Sequence, residues 1–171
     1  MLIINSKQEL LSFAAKLSTT IFSQKPLIIQ EFIPGSVENL YTITSYANRN
    51  HEIISYSIGH KIRQDPPFAG TITSGRIDNV PQILHLSRKL VKSAKCYGIS
   101  NIEFKKDERD GQYKLMEINP RSGVWNYSVK ASGINLPLIS YKDYFGESFS
   151  KTNKSKNITS VSYTHLTLPT N

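Results

Sequence analysis

Residues 98–123, GISNIEFKKDERDGQYKLMEINPRSG, constrain the fold more than any other stretch of the chain. Two apolar-punctuated runs, Ile102-Glu103-Phe104 and YKLMEIN at 113–119, flank a polar turn containing Asp110 and Gly111. This pattern predicts a β-hairpin. A strand sends successive side chains to opposite faces. Glu117, Asn119 and Arg121 therefore share one face, and Met116, Ile118 and Pro120 the other. Glu103 joins the polar face if it pairs with Glu117, which needs a loop with an odd number of residues. A loop over 108–112 satisfies this, whereas a two-residue Asp110-Gly111 turn inverts the pattern. The expected loop therefore holds three or five residues. The polar face would then present two carboxylates and an amide oxygen, hard ligands suited to Mg²⁺. Arg121 beside them suits phosphate oxygens, which a guanidinium binds bidentately. The set reads as a Mg–nucleotide site; the plainer alternative is a solvated hairpin face with two surface carboxylates.

At these residues the chain resembles the ATP-grasp superfamily. The catalytic hairpin of that superfamily carries an acid or amide in its first strand and a Glu-x-Asn-Pro-Arg run in its second. Glu103 and Glu117-Ile118-Asn119-Pro120-Arg121 match these. The chain is most similar to the carboxylate–amine ligase branch, including D-aspartate-ligase-like and carbamoyl-phosphate-synthase-like proteins, from about residue 2 to about residue 146. The resemblance implies ATP with Mg²⁺ or Mn²⁺ as cofactors, and small-molecule carboxylate and amine substrates. It implies activation of the carboxylate as an acyl phosphate, followed by attack of the amine. Glu103 and Glu117 would hold one metal, Glu117 and Asn119 a second, and Arg121 would steady the phosphates. The implied fold is α+β: the C-terminal lobe of an ATP-grasp domain, a mostly antiparallel sheet with packed helices, plus a remnant of the lid.

Ser6-Lys7-Gln8-Glu9 matches a capping box and predicts a helix over 7–22. No glycine precedes Gly35, so the first 34 residues hold no glycine-rich phosphate cradle. The lysine that accompanies that loop in the family is not matched either. The chain therefore reads as the C-terminal part of a longer enzyme, expected to lack turnover by itself. Residues 26–33, PLIIQEFI, predict a strand closed by Pro34-Gly35. The resemblance gives that strand end to the adenine: backbone groups of Gln30, Glu31, Phe32 and Ile33 would meet the base, and Glu31 or Glu38 the ribose.

A second hairpin is expected over 39–60, with its turn at Asn48-Arg49-Asn50-His51. Its strand continues into Lys61 and Arg63, which share a face by period two. Both cations suit a triphosphate or acyl phosphate, and Arg63 is the choice for the catalytic role, by likeness to a basic residue of the ligase branch. His60 falls on the opposite face. Residues 65–70, with two prolines, exclude regular structure, and 71–75 extend this loop toward the acceptor substrate by resemblance. Asp78 or Asn79 caps the next helix, with Pro81 in its first turn, Ile83, Leu86, Leu90, Val91, Ala94 and Tyr97 on its apolar stripe, and Gly98 ending it. A shorter helix through Ala131 follows Arg121, with Trp125 as a packing residue, and residues 136–145 form a final amphipathic piece.

A length of 171 residues suits one domain with a sizeable core. The net charge of +8 comes from dispersed Lys and Arg with no basic arm, so nucleic acid is not an expected partner. The single cysteine, Cys96, forms no internal disulfide, and no apolar run reaches membrane-spanning length, which together suit the cytoplasm. Residues 148–160 are rich in Ser, Lys, Asn and Thr and read as a disordered tail after a partial domain over 1–147. Residues 162–170, SYTHLTLPT, resemble translated adapter sequence and stand outside the fold reading. The function read from the chain is an ATP- and Mg²⁺-dependent carboxylate–amine ligase. The alternatives are an ATP-grasp kinase of small molecules and a nucleotide-binding remnant without turnover.

Overall fold

A computed structural model describes residues 2–20, 28–66, 70–149 and 158–161. The chain forms two compact units, residues 1–32 and 33–171. The first holds helix α1 (Lys7–Ser18). The Ser6 hydroxyl accepts from Glu9 N at 3.1 Å, which is one arm of the expected cap; the Glu9 carboxylate reaches past Ser6 and accepts from Asn5 N at 2.9 Å. The helix stops at Ser18, short of the expected residue 22. The hydroxyls of Ser18, Thr19 and Thr20 donate to the carbonyls of Ala15, Lys16 and Leu17, a local pairing that competes with helix propagation. The strand expected over 26–33 does not form over its described part. Residues 28–33 carry no regular structure, and Ile28 and Ile29 stand 89% and 76% exposed. None of the described strands pairs with this segment, and an extended run without a ladder partner is not a sheet strand.

The second unit is built on an antiparallel sheet. Its strands are β1 (Leu40–Ala47), β2 (Ile53–Asp65), β3 (Thr71–Asp78), β4 (Gly98–Lys106), β5 (Tyr113–Asn119) and β6 (Thr159–Val161), in spatial order β5-β4-β1-β2-β3-β6. Helices α2 (Pro81–Ser93), α3 (Asn126–Ala131) and α4 (Leu136–Tyr144) complete it. This is the expected α+β architecture. Alternation along the strands sorts the core into two clusters. Ile43, Ile58, Ile102 and Phe104 pack with Ile83 and Val91 of α2. Tyr46, Ile72 and Ile77 pack with Trp125, Val129, Leu136 and Ile139 from the α3–α4 segment. Central strand β1 is therefore buried on both faces from Thr42 to Ala47.

Three local expectations are corrected. Thr71 to Gly75 is strand, not loop, because β3 pairs with β2 from Thr71 onward. Val80, not Asp78 or Asn79, precedes α2, since Asp78 still pairs with Ile58 as the last residue of β3, and α2 ends at Ser93, before Ala94 and Tyr97, because Gly98 opens β4 in pairing with Ala47. The tail is not irregular throughout. Residues 159–161 add an edge strand to β3, the Ile158 carbonyl accepts from Ile77 N, and Ile158 packs against the second cluster. Residues 150–157 and 162–171, including the adapter-like stretch, lie outside the described residues.

The β4–β5 loop spans 107–112, six residues where three or five were expected. Asp107 organises it. Its backbone N donates to Gln112 O, its carbonyl accepts from Gly111 N, and its carboxylate accepts from Arg109 N and the Arg109 guanidinium. Gly111 sits at φ 69°, the left-handed region that favours glycine. An even loop alone would place Glu103 and Glu117 out of register. A bulge corrects this: Phe104 pairs with Leu115 and Glu103 with Glu117, leaving Met116 as the extra residue. The expected pairing is present, by a different route.

Two measurements follow from this geometry. A Cβ at Gly59 would lie 2.5 Å from Trp125 Nε1, and one at Gly75 would lie 3.0 Å from the same indole and 2.7 Å from the His60 carbonyl. Gly59→Ala is expected to destabilise the protein by about 1–3 kcal/mol, read by urea unfolding, because the buried ring has to shift. A loss under about 0.5 kcal/mol would show that the indole is free to move. The Arg109 hydrogen bond, first among the causes, holds the Asp107 carboxyl down to about 2 from its ordinary 3.8. A depressed carboxylate stabilises the fold above its unfolded pKa, and that contribution disappears as pH falls through the folded value, from about pH 4 to about pH 2. The stability difference between the natural protein and Asp107→Asn should shrink across that window in urea titrations. A difference that stays constant would remove Asp107 from the acid response.

Candidate functional site

Register places the polar side chains in two rows on the sheet face opposite α2. One row runs Glu117, Glu103, Thr42, Gly59 across β5, β4, β1 and β2, and the other runs Asn119, Asn101, Thr44, Ser57. The two glutamates are direct cross-strand partners, which sets their side chains within about 4.5–5.5 Å at Cβ. Asn119 Nδ2 donates to Glu117 Oε1 at 2.7 Å, which turns the Asn119 carbonyl oxygen away from that bond as an acceptor. Asn101 Oδ1 accepts from the hydroxyls of Thr42 and Thr44, both at 2.8 Å, and fixes the floor beneath the carboxylates. Asn101 was legible two residues before Glu103 by the same alternation that selected Asn119. Its threonine partners were not, because they come from a strand distant in sequence.

The basic residues separate. Lys61 is 4% exposed, and its Nζ lies 3.0 Å from Glu103 Oε2. Arg63 does not share its face. Lys61 pairs with Gly75 and Arg63 with Ser74, adjacent residues of β3 that point to opposite sides. An extra residue in β2 breaks the period-two argument between the two cations, and Arg63 stands exposed on the other side of the sheet. Arg121 lies two residues beyond the end of β5 and is exposed, with Nη1 donating to the Ser122 carbonyl at 3.3 Å. Lys105, two residues from Glu103 on the same face, donates from Nζ to the buried Ile33 carbonyl at 2.8 Å, and burial lowers its ammonium pKa. Lys105 was not among the residues expected at the site.

The residues assigned to the adenine side fall on both sides of the division between the units. Ile33 is buried in the second unit, while Gln30, Glu31 and Phe32 are exposed residues of the first. Glu38 lies in a 3-10 turn, Val37–Asn39, with its side chain exposed and its carbonyl accepting from His60 Nε2. His60 stacks on Tyr41 on the α2 side of the sheet, away from the carboxylates, as alternation predicts.

The donor set fits a hard divalent cation. Among the described residues no group of three or more His, Cys, Asp and Glu converges. A cation here would rest on Glu103, Glu117 and the Asn119 oxygen, with remaining positions for water or ligand phosphate. That is the coordination Mg²⁺ prefers, since it dehydrates reluctantly and takes one or two carboxylates.

The chain is similar to the D-aspartate ligase of Enterococcus faecium (strain Aus0004), 31% identical over 129 residues, covering 74% of this chain and 31% of that protein. It also resembles the L-amino acid ligase from Bacillus licheniformis at TM-score 0.56 and 20% identity, over 82% of this chain and 35% of that one. A third likeness is the biotin carboxylase domain of Hydrogenobacter thermophilus 2-oxoglutarate carboxylase, solved with MgADP and bicarbonate, at TM-score 0.57 and 16% identity, over 87% and 34%. The two structural likenesses speak to the fold alone. The chain thus spans about a third of the length of each of these proteins. A family model described as ATP-grasp in the biosynthetic pathway with Ter operon matches residues 23–167, a range that includes residues 162–167 of the adapter-like stretch. By that match and by its hairpin, the chain belongs to the ATP-grasp family.

Proposed function

We propose that this chain supplies the metal-and-phosphate side of an ATP-dependent carboxylate–amine ligase. The observation that carries the reading is the cross-strand pair of Glu103 and Glu117, with Asn119 on the same face. These residues would hold Mg²⁺ or Mn²⁺ with ATP, and the cation would supply charge that offsets the negative charge of the transferring phosphoryl group. Glu103 and Glu117 would hold one ion, and Glu117 with Asn119 a second. Arg121, exposed two residues beyond the end of β5, would clamp phosphate oxygens bidentately. Lys61 takes the place first given to Arg63, because it stands on the carboxylate face. Gln30, Glu31, Phe32, Ile33 and Glu38 are assigned to adenine and ribose by resemblance. Of these, the Ile33 carbonyl already accepts from Lys105.

No side chain in this set needs to act as a nucleophile. The carboxylate substrate would attack the terminal phosphoryl group, and the amine would then displace phosphate from the acyl phosphate. The protein's part is positioning and electrostatic stabilisation. Small carboxylates and amines are the substrates the reading implies. ATP supply and the lone Cys96 suit the cytoplasm, and no described helix is long and apolar enough to cross a membrane.

Glu117→Gln in the enzyme should lower Mg-ATP-dependent turnover about 10²–10³-fold or more, with the fold retained, because the residue is exposed and belongs to the site. The assay follows ADP, phosphate and coupled product across a panel of amino acids. Unchanged turnover in the variant would remove Glu117 from the mechanism. ADP appearing with a phosphorylated product, and no free phosphate, would mark a kinase.

A further inference from the structure

Lys61 poses a question the ligase reading does not answer. Its ammonium is buried, and a buried charge has to be paired. The partner is Glu103, a carboxylate assigned to the metal. The pair is diagonal: Glu103 is level with Thr42 and Gly59, while Lys61 lies two residues beyond Gly59 on the same face. Removing the carboxylate alone would strand a buried ammonium.

Resting on the proposed function, we infer that Lys61 is a positioning residue that makes cation binding and phosphate binding depend on each other. Before ligands arrive it neutralises Glu103 and holds that carboxylate in place. A dication at Glu103 and Glu117 competes with the ammonium for the same oxygens and repels it. The displaced ammonium then needs another anion within reach, and the phosphate chain of a nucleotide bridged by the dication is that anion. Cation alone therefore binds against the repulsion of Lys61. Cation with nucleotide gains from it. The pair acts as a guard against loading a bare metal ion.

The test measures Mn²⁺ binding to the full chain by electron paramagnetic resonance, with and without ADP, in natural protein, Lys61→Gln and Lys61→Arg. Circular dichroism checks each fold. Lys61→Gln keeps a donor for Glu103 but loses the charge. It should bind Mn²⁺ alone about tenfold more tightly than the natural protein, and ADP should raise its Mn²⁺ affinity about tenfold less. Lys61→Arg keeps the charge and should stay within about threefold of the natural protein in both measurements. An unchanged Mn²⁺ affinity and an unchanged ADP effect in a folded Lys61→Gln would overturn the inference and leave the ligase reading standing. Natural protein that binds neither Mn²⁺ nor ADP would overturn both. A second measurement needs no variant. In ¹³C-lysine-labelled natural protein the Lys61 Cε resonance should move on Mg²⁺ addition and again on ADP addition, and a resonance indifferent to both would equally overturn the inference.

Discussion

The site depends on one extra residue. Met116 is the bulge that lets a six-residue loop coexist with a Glu103–Glu117 pair. In an antiparallel ladder a shift of one residue moves every side chain to the other face. Without the bulge, Glu117 would point toward α2 and its apolar cluster, and the opposite face of the hairpin would hold a single carboxylate. The Asp107–Arg109 bonds fix the loop, the bulge fixes the parity, and the two together set the Glu103–Glu117 pair. Neither would suffice alone.

The second constraint is the small-residue floor of β1, β2 and β3. Thr42, Gly59 and Gly75 leave room above the sheet, and two large groups fill it from different directions. Trp125 lies over the two glycines and joins α3 to the sheet through the second core cluster. Lys61 uses the neighbouring space to reach Glu103. A methyl group at Gly59 would press on the indole directly.

The separation of Lys61 from Arg63 shows how far period-two reasoning carries. Along an unbroken strand the two cations would face the same way. A second bulge, this time in β2 against β3, turns Arg63 to the opposite side. The same rule placed His60 correctly, because no irregularity intervenes between it and the paired residues of β1. The rule fails only where the ladder does, and ladder irregularities arise between strands and are not encoded in one.

The sequence by itself determined the hairpin, the identity of its polar face, an amphipathic helix opening at Pro81 and the antiparallel α+β class. Each of these follows from local alternation, helical spacing or a motif contained within a few residues. Asn101 was within reach of the same reasoning. Only the tertiary structure decided the loop length, the bulge at Met116, the opposed faces of Lys61 and Arg63, and the Lys61–Glu103 bond across β1. It also decided that residues 28–33 stay without a ladder while residues 159–161 gain one. These are questions of which strand lies beside which and in what register. Pairing between segments tens of residues apart is set by the burial of whole faces, and no short stretch of sequence contains it.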